Sequence, residues 1–347
     1  MVIAMIKVSF IGVKEAERLI SDIHLNLFQE IFWWKLIEQG FNKECLVAVV
    51  SDNNVNKIIM PLFIHRILFI YRVGSPLRGT YTPYIDFIKL SDNINKNDQK
   101  KYVHKIVDSV LQKGANWIEI ACLSERDEVF MDLTSIDFSV EYPSTIILDT
   151  NKSEEILWNG MQGRARNLVR KSEKNGLRAE FLDCDKKNVK QFYSMLENTF
   201  KKSGATPPHS EEFYILLTKR LLKSNNLLFV SIKSGSDTVA MGIFMHNEDE
   251  INFMSGTSTR EGNKYGASNL MHWEVIKFAT NNNIKKYNFG GLGIASIDKF
   301  KRSFGGCEVG YSRFVWMKFY IRILFKAFTW VRFKLRFPLA MWLNRKK

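Results

Sequence analysis

Apolar residues recur along the second half of the chain at the spacings of strands and helices. Strand-like runs at 227–233, 238–246 and 250–255 are separated by short polar turns, which predicts three hairpin-linked strands. A run at helical spacing follows from 266 to about 281, and a strand-like run at 284–289 comes after it. The other elements predicted in this half are a helix at 153–175, a strand at 177–182, helices at 189–202 and 210–223, a short helix at 297–304 and a strand near 311–316. From residue 177 onward the predicted order is β-α-α-β-β-β-α-β-α-β.

The first half of the chain gives the same order of elements. Strand-like runs at 45–50, 57–65 and 67–73 again form a group of three, before a helix at 101–113 and a strand at 117–123. The other predicted elements are a strand at 7–11, helices at 13–20 and 28–39, a long loop at 74–99, a helix near 126–136 and a strand at 144–149. No repeat of the sequence accompanies this order, so the structural duplication is predicted from element order alone.

These patterns predict an α/β (α+β) fold with two tandem domains. We expect a first domain at 1–150 and a second at 151–316, each a mixed, mostly antiparallel sheet flanked by helices. A basic, aromatic-rich segment at 317–347 follows, and its spacing of bases and apolar residues predicts a helix. With 46% hydrophobic and 25% charged residues, the composition is that of a globular protein and excludes a disordered or fibrous chain.

Positive charge is concentrated at the C-terminal end of the chain. The net charge is +14, and the chain after Glu308 contains ten Lys or Arg residues and no acid. Two interpretations are open: a helix that lies on anionic lipid, or a helix packed on the body with solvated bases. No stretch there has the about 20 uncharged apolar residues that span a bilayer. We expect a cytoplasmic protein, at the inner face of the plasma membrane under the first interpretation. DNA is not an expected partner, because apolar residues interrupt the bases throughout.

Cysteine and histidine positions argue against a metal centre and a disulfide framework. The four cysteines are far apart without a CxxC pair, and the six histidines lack metal-ligand spacing. The start of the chain lacks the cleavage pattern of a signal peptide. We therefore expect a reduced protein with no metal and no permanently bound cofactor. We interpret Cys307 as a buried structural thiol, with covalent catalysis by this residue as the alternative.

The stretch at 260–267, REGNKYGA, leads directly into the predicted helix at 266–281. Glycines before a helix N-terminus let backbone N–H groups approach a phosphate. Gly262, Lys264, Gly266 and Ala267 are therefore candidates for binding the phosphates of a donor. An ordinary loop and helix cap is the alternative interpretation.

A second candidate site joins Asn288, Gly290 and Gly291 at a strand end to Phe300 and Lys301 on the short helix beyond. Paired glycines give a substrate access to the backbone at the strand's carboxyl edge. A lysine that points into the same crevice can stabilise an oxyanion as an amine attacks an ester or thioester. In the alternative interpretation Lys301 is solvated, and Phe300 belongs to the core.

Several motifs together resemble those of one family. They are GASNLMHWE at 266–274, YNFGG at 287–291, IDKFKRSFGG at 297–306, RARNLVRKSEKNGL at 164–177, and Phe28-Gln29 with Trp33-Trp34-Lys35. The chain resembles the Fem-type family, the FemA/FemB/FemX peptidoglycan-bridge aminoacyltransferases, within the GNAT-fold acyltransferase superfamily. The element order given above is also that of the GNAT fold.

The resemblance implies two GNAT-like domains, in which two neighbouring parallel strands splay apart and the acyl donor meets the amine in the gap. It implies aminoacyl-tRNA or acyl-CoA as co-substrate, and a nucleotide-linked or lipid-linked cell-envelope precursor as acceptor. By the same analogy Lys301 is the electrophilic stabiliser and Lys35 contacts an acceptor phosphate. Tyr84 and Trp273 are candidates for lining the crevice.

Arg166, Arg170 and Lys174 follow one another at intervals of four residues, so they share one face of a predicted helix. That face can meet donor or acceptor phosphates, including those of a tRNA. A solvated face paired with neighbouring acids is the alternative.

Three features depart from the family pattern. Asn288 stands where the family usually has an aspartate, and an asparagine cannot act as a base. The chain lacks the inserted helical arm of some members, and the glycine loop at 260–267 is degenerate.

We therefore expect an N-acyl or aminoacyl transferase that forms an amide on an amine of a peptidoglycan stem peptide or of a surface-polysaccharide amino sugar. The alternatives are an acyl-CoA-dependent amino-sugar N-acetyltransferase of capsule or O-antigen synthesis, and a non-catalytic, membrane-associated protein with the duplicated fold.

Overall fold

The chain folds as two mixed β-sheets flanked by helices, in a computed structural model that describes residues 6–124, 126–183, 185–202, 204–221 and 226–330. Cys184 and residues 331–347 of the predicted C-terminal segment lie outside the described residues. One sheet has eight strands and the other has seven among the described residues. The predicted fold class is confirmed.

In the first half of the chain the predicted strands and helices are present, with the short strands β5 and β7 added. The elements are β1 (Lys7–Gly12), α1 (Val13–Leu19), α2 (Ile31–Gly40), β2 (Glu44–Asp52), β3 (Val55–Ile67), β4 (Ile70–Ser75), β5 (Ile88–Lys89), α3 (Lys96–Gln112), β6 (Trp117–Cys122), α4 (Glu128–Met131), a 3₁₀-helix (Asp132–Ile136), β7 (Ser139–Glu141) and β8 (Ser144–Asp149).

The second half follows the predicted order and adds a short helix and a short strand. Its elements are α5 (Glu154–Gly160), α6 (Gly163–Lys174), β9 (Leu177–Leu182), α7 (Lys186–Lys202), α8 (Glu211–Leu221), β10 (Leu227–Ser234), β11 (Asp237–His246), β12 (Glu250–Ser258), α9 (Arg260–Tyr265), α10 (Ala267–Asn281), β13 (Lys286–Gly291), α11 (Ala295–Arg302), β14 (Cys307–Gly310) and β15 (Ser312–Met317). Residues 319–330 are helical.

The single helix expected at 153–175 is two helices, α5 and α6. Ser153 caps the first as predicted, because its hydroxyl accepts a hydrogen bond from the backbone N–H of Ile156 at 3.4 Å. The chain breaks between the helices because Met161 is extended and buried in the core, while the N–H of Gln162 bonds to the carbonyl of Ser303. Cys307 is also unlike its prediction: its side chain is exposed at the start of an edge strand.

The two sheets have matching strand arrangements. The first runs β1-β2-β3-β4-β6-β15-β7 with β5 beside β3, and the second runs β9-β10-β11-β12-β13-β8-β14. Each contains one parallel pair, β4 with β6 and β12 with β13, and the other neighbours are antiparallel. The repetition predicted from element order therefore extends to the sheet topology.

Each half of the chain contributes one strand to the sheet of the other half. β8 lies between β13 and β14 in the second sheet, and β15 lies between β6 and β7 in the first. The predicted boundary between the two domains at residue 150 therefore does not separate the strands of one sheet from those of the other. The alternation of apolar residues along a strand shows which face is buried, but it does not show which of two similar sheets accepts the strand.

The parallel pair of the second sheet opens into a gap. In β12 only Glu250, Ile251 and Asn252 pair with β13, although β12 continues to Ser258. The two halves also share one apolar core, which contains Trp33 and Trp34 from α2 together with Tyr214 from α8. The gap is thus covered by side chains of the first half.

Candidate active site

A cavity of about 280 Å³ lies between the two halves of the chain, where β12 and β13 separate. Its lining is Phe28, Trp33, Tyr81 and Pro83 from the first half, and Met245, Asn252, Phe253, Met254, Phe289, Gly290, Gly291, Lys301 and Tyr311 from the second. This volume is near the lower limit of about 300–1,000 Å³ for small-molecule sites. It therefore suits the reacting end of a substrate.

Lys301 is placed in the wall of this cavity by helix α11. The residue is 8% exposed, and its Nζ donates hydrogen bonds to the carbonyl oxygens of Gly290 at 3.1 Å and Gly291 at 2.6 Å. Burial lowers the pKa of Lys301, while the carboxylate of Asp298 acts in the opposite direction. Because an ammonium has three N–H donors, one remains for a group in the cavity.

The backbone that holds Lys301 depends on Asn288, which is fully buried in the middle of β13, two residues before Gly290. Its Oδ1 accepts hydrogen bonds from the hydroxyl of Thr145 at 2.6 Å and from the N–H of Gly290 at 2.9 Å. Its Nδ2 donates to Glu250 at 3.2 Å. Asn288 thus holds the end of β13 at Gly290, below the cavity. Its partner Thr145 lies on β8, the strand that the first half contributes to this sheet.

Glu250 is a carboxyl group that the sequence analysis did not single out. It lies two residues before Asn252 on β12, so the two side chains project from the same face of the strand. Asn252 lines the cavity, and Glu250 lies beside it, outside the lining. Burial raises the pKa of Glu250, and the hydrogen bond from Asn288 opposes that shift. A single acid in a strand has no motif, and only the parallel register of β12 with β13 brings it to Asn288.

Tyr84 lies behind the cavity, where its ring contacts two residues of the lining. The ring centroids are 5.6 Å from Phe28 and 5.5 Å from Tyr311. Burial, and secondarily the neighbouring Glu250, raise the pKa of the Tyr84 hydroxyl, while the nearby Asn288 opposes that shift. No group among the described residues meets hydrogen-bond geometry with this hydroxyl. An unpaired buried hydroxyl costs about 1–3 kcal/mol. A polar ligand group that reached it would recover part of that free energy.

An aromatic cluster supports the inner side of helix α11. His272 is buried and lies 5.3 Å from Phe300, 5.5 Å from Phe304 and 5.4 Å from Phe289, measured between ring centroids. Its Nδ1 shares a hydrogen bond with the hydroxyl of Tyr287. Burial, and secondarily Lys301, lower the pKa of His272 to about 3. Phe300 therefore packs against this cluster and is not part of the cavity lining.

Changing His272 to glutamine should make stability less sensitive to acid. In the folded wild type His272 stays neutral down to about pH 3, whereas the unfolded chain takes up its proton near pH 6.5. The free energy of unfolding therefore falls as the pH drops below 6.5, by at most about 1.4 kcal/mol per pH unit for this residue. Urea unfolding between pH 7 and pH 5 should give a smaller slope for His272→Gln than for the wild type. An unchanged slope would show that His272 is protonated in the folded state.

The segment predicted as a phosphate-binding loop is the short helix α9, followed by Gly266 in the left-handed region at φ 82°. Thr259 caps this helix by accepting a hydrogen bond from the N–H of Gly262. Gly262 is closely packed, because an added Cβ would lie 2.4 Å from the carbonyl oxygen of Val239. Gly262 and Gly266 thus serve close packing, Ala267 is buried, and Lys264 is exposed. The geometry of this segment thus resembles the alternative interpretation, a capped helix start, more than a glycine loop open to a phosphate.

The predicted cationic face lies on α6, outside the lining of the cavity. Arg166 donates to the carbonyl of Asn159 at 3.3 Å, and Arg170 lies over the ring of Trp158 at 5.2 Å. Lys174 is exposed at the end of the same helix. α6 also contacts α9, since the Nζ of Lys171 donates to the carbonyl of Lys264 at 2.9 Å. The bases of α6 and Lys264 therefore lie close together on one surface.

Trp273, a predicted crevice residue, and Lys35, a predicted contact of an acceptor phosphate, both lie outside the lining of the cavity. Trp273 packs on Trp158 with ring centroids 5.0 Å apart, because this face of α10 is turned to the core. Lys35 is on α2 and pairs with Glu17 at 2.8 Å, outside the lining of the cavity. The neighbouring Trp33, which was noted only as part of a motif, lines the cavity and donates from its indole to Thr82 at 3.0 Å.

Comparisons with known proteins agree with this architecture. The family model of the acetyltransferase (GNAT) domain matches residues 161–302. Aminoacyltransferase FemB of Staphylococcus epidermidis is 37% identical over 54 residues, so the match spans 16% of this chain and only 13% of FemB.

Solved structures extend the similarity to both halves. FemX superposes with a TM-score of 0.70 at 13% identity over 90% of this chain and 97% of FemX. A tandem GNAT protein from the clavulanic acid biosynthesis pathway gives 0.55 at 6% identity, over 90% and 98% of the two chains. Identities this low show the fold alone. The comparisons confirm the resemblance that the motifs indicate: the chain is a GNAT-fold protein that resembles the Fem-type aminoacyltransferases.

Proposed function

We propose that this chain transfers an aminoacyl or acyl group from an activated donor to an amine of a cell-envelope precursor, forming an amide. The observation that carries the proposal is the ammonium of Lys301, held by Gly290 and Gly291 in a cavity where two parallel strands separate. The GNAT and FemB similarities support the transferase class.

In the proposed reaction the amine attacks the donor carbonyl directly. The new C–N bond forms, the carbonyl oxygen becomes an oxyanion, and the free N–H of Lys301 stabilises that charge. The intermediate then expels the ribose oxygen of a tRNA or the sulfur of coenzyme A, and the amine loses its proton. Glu250 is the carboxyl group beside the cavity that we propose as the proton acceptor, with Asn288 holding it in place. Positioning of the two substrates supplies much of the remaining acceleration.

We propose aminoacyl-tRNA as the donor. The short helix α9 stands where a glycine loop would hold the pyrophosphate of coenzyme A, and its Gly262 is packed against Val239. Exposed bases on α6, with Lys264 beside them, instead offer an open cationic surface for a phosphate backbone. The similarity to FemB, an aminoacyltransferase by name, is in line with an aminoacyl donor.

We propose a peptidoglycan stem peptide, nucleotide-linked or lipid-linked, as the acceptor. A cavity of about 280 Å³ with aromatic walls admits the amine-bearing end of such a precursor and leaves its nucleotide or lipid carrier outside. The second candidate is an acyl-CoA-dependent N-acetyltransferase of amino sugars, which the match to the acetyltransferase (GNAT) domain favours.

The test is a transfer assay with the full chain and two donors. Charged total tRNA and acetyl-CoA are each offered with a nucleotide-linked stem peptide and with an amino-sugar nucleotide, and the products are weighed by mass spectrometry. An added aminoacyl mass on the stem peptide, with charged tRNA only, is the expected result. An acetyl mass on the sugar would select the second candidate. No new amide in any combination, together with unchanged stem peptides and glycans in cells lacking the gene, would refute the proposed activity.

A further inference from the structure

Large apolar side chains are exposed at two neighbouring places on the first half of the fold. One is the turn between β3 and β4, where Leu68 is 93% exposed and Phe69 is 58% exposed. The other is the helix 319–330, where every residue from 323 to 330 is exposed and Phe319 and Phe328 are among the most exposed apolar side chains. Groups of exposed apolar residues of this size mark interaction surfaces.

The turn contains an apolar residue, Leu68, at a position where the backbone conformation favours glycine or asparagine. Strand pairing closes at Ile67 and Ile70, so Leu68 and Phe69 form a two-residue turn. Leu68 has a φ of 50°, in the left-handed region that glycine or asparagine would normally occupy at such a turn. Strain of this kind is found where a side chain has a function outside the fold.

A buried asparagine joins the turn to the helix. The Nδ2 of Asn116 donates to the carbonyl of Phe69 at 2.7 Å and to the hydroxyl of Tyr320 at 3.1 Å. Phe325 of the helix also contacts the ring of Trp117 at 5.1 Å. The turn residues 67–69 and the helix 319–330 therefore form one continuous surface, which we name the apolar end.

Bases surround the apolar end. Lys318, directly before the helix, and Lys326, on it, are exposed, and neither has an ion pair among the described residues. Arg66 is exposed beside the turn and stacks on Tyr71 at 3.8 Å. Residues 309–330 contain no acid. Asp137 lies next to the helix, but its carboxylate is paired with Arg322 at 2.7 Å.

We propose that the apolar end docks on the surface of an anionic lipid bilayer. Apolar side chains that project from a rim of bases suit the boundary between anionic headgroups and acyl chains. A twofold dimer through the same surface would instead bring Lys318 and Lys326 of the two copies together without acids to neutralise them. None of the helices in the described part of the chain could span a bilayer.

Docking in this way sets the distance between the lipid and the cavity. Tyr311 of the cavity lining precedes β15, and the helix 319–330 follows the other end of that strand. A strand of this length spans about 20 Å. The part of the cavity lining at Tyr311 therefore lies at most about this far from the docked helix, within reach of a precursor that extends from the membrane. The inference does not depend on the proposed function, because binding to lipid is measured without substrates.

The test is sedimentation of the full chain with vesicles of phosphatidylglycerol and phosphatidylcholine, compared with pure phosphatidylcholine. The expected result is binding to the anionic vesicles only, weakened about tenfold or more in the double variant Leu68→Ser/Phe69→Ser, since full burial of even one such side chain is worth about one decade. Val55→Ser is the matched control, because Val55 is exposed at the opposite end of the same strand β3 and should leave binding unchanged. Unfolding in urea checks that all variants are folded.

Three results would overturn the proposal. They are wild-type binding that does not depend on anionic lipid, an affinity of the double variant equal to that of the wild type, and no binding to either vesicle. The last result, if combined with self-association that the double variant abolishes, would assign the surface to a second copy of the chain. An equal loss in Val55→Ser would likewise remove the apolar end from its role.

Discussion

Replacing Lys301 by alanine is expected to lower the rate of amide formation about 100- to 1,000-fold, the usual cost of losing one preorganised oxyanion donor. Its Nζ is the charged donor held in the cavity wall, bonded to Gly290 and Gly291 at 3.1 Å and 2.6 Å. A neutral methyl group in its place leaves the developing charge without that partner. The measurement is the single-turnover rate with the donor and acceptor that the transfer assay identifies.

Lys299→Ala is the matched control for this prediction. Lys299 is on the same helix α11, two residues away, and its side chain is exposed. This variant should keep the wild-type rate, and both variants should unfold at a similar urea concentration. In the wild type the rate should fall as the pH rises through the lowered pKa of Lys301, because only the ammonium form stabilises the oxyanion. Full activity of Lys301→Ala would exclude Lys301 from catalysis.

The sequence predicted the fold class and the neighbourhood of Lys301 because both depend on short-range pattern. Strand and helix periods identify elements one at a time, and Lys301 is only ten residues from Gly291. A turn of chain followed by a short helix is enough to bring the two together. For this reason the motif at 287–306, through its resemblance to the Fem-type family, could be singled out as a candidate site before its geometry was known.

The parts that the sequence did not predict depend on pairing between distant segments. β8 and β15 have ordinary strand patterns, and nothing local shows that each joins the sheet of the other half. Glu250 acquires its position only through the parallel register with β13. The stretch at 260–267 has glycines typical of a loop, yet Thr259 supplies a cap and Val239 excludes a side chain at Gly262, so a helix forms.

Replacing Glu119 by glutamine is expected to destabilise the fold by about 3–5 kcal/mol, the usual cost of removing one partner from a buried ion pair. Glu119, on β6, is 1% exposed. It accepts hydrogen bonds from Arg72 at 3.0 Å and 2.5 Å, and Arg313 lies 3.8 Å away. A neutral amide would leave two guanidinium groups without their counter-charge. Urea unfolding at neutral pH measures the loss.

Because Arg313 lies on β15, the same substitution also tests whether β15 lies in the first sheet. This strand comes from the second half of the chain and lies beside β6 in the first sheet. Glu141→Gln is the control, because Glu141 forms an exposed pair with Arg78 at 2.7 Å that should be worth about 1 kcal/mol or less. If β15 were not seated in the first sheet, Glu119 would face Arg72 alone, and Arg313→Leu would leave the effect of Glu119→Gln unchanged. Since the two residues are neighbours, we expect the two substitutions to be non-additive, with Arg313→Leu reducing the cost of Glu119→Gln.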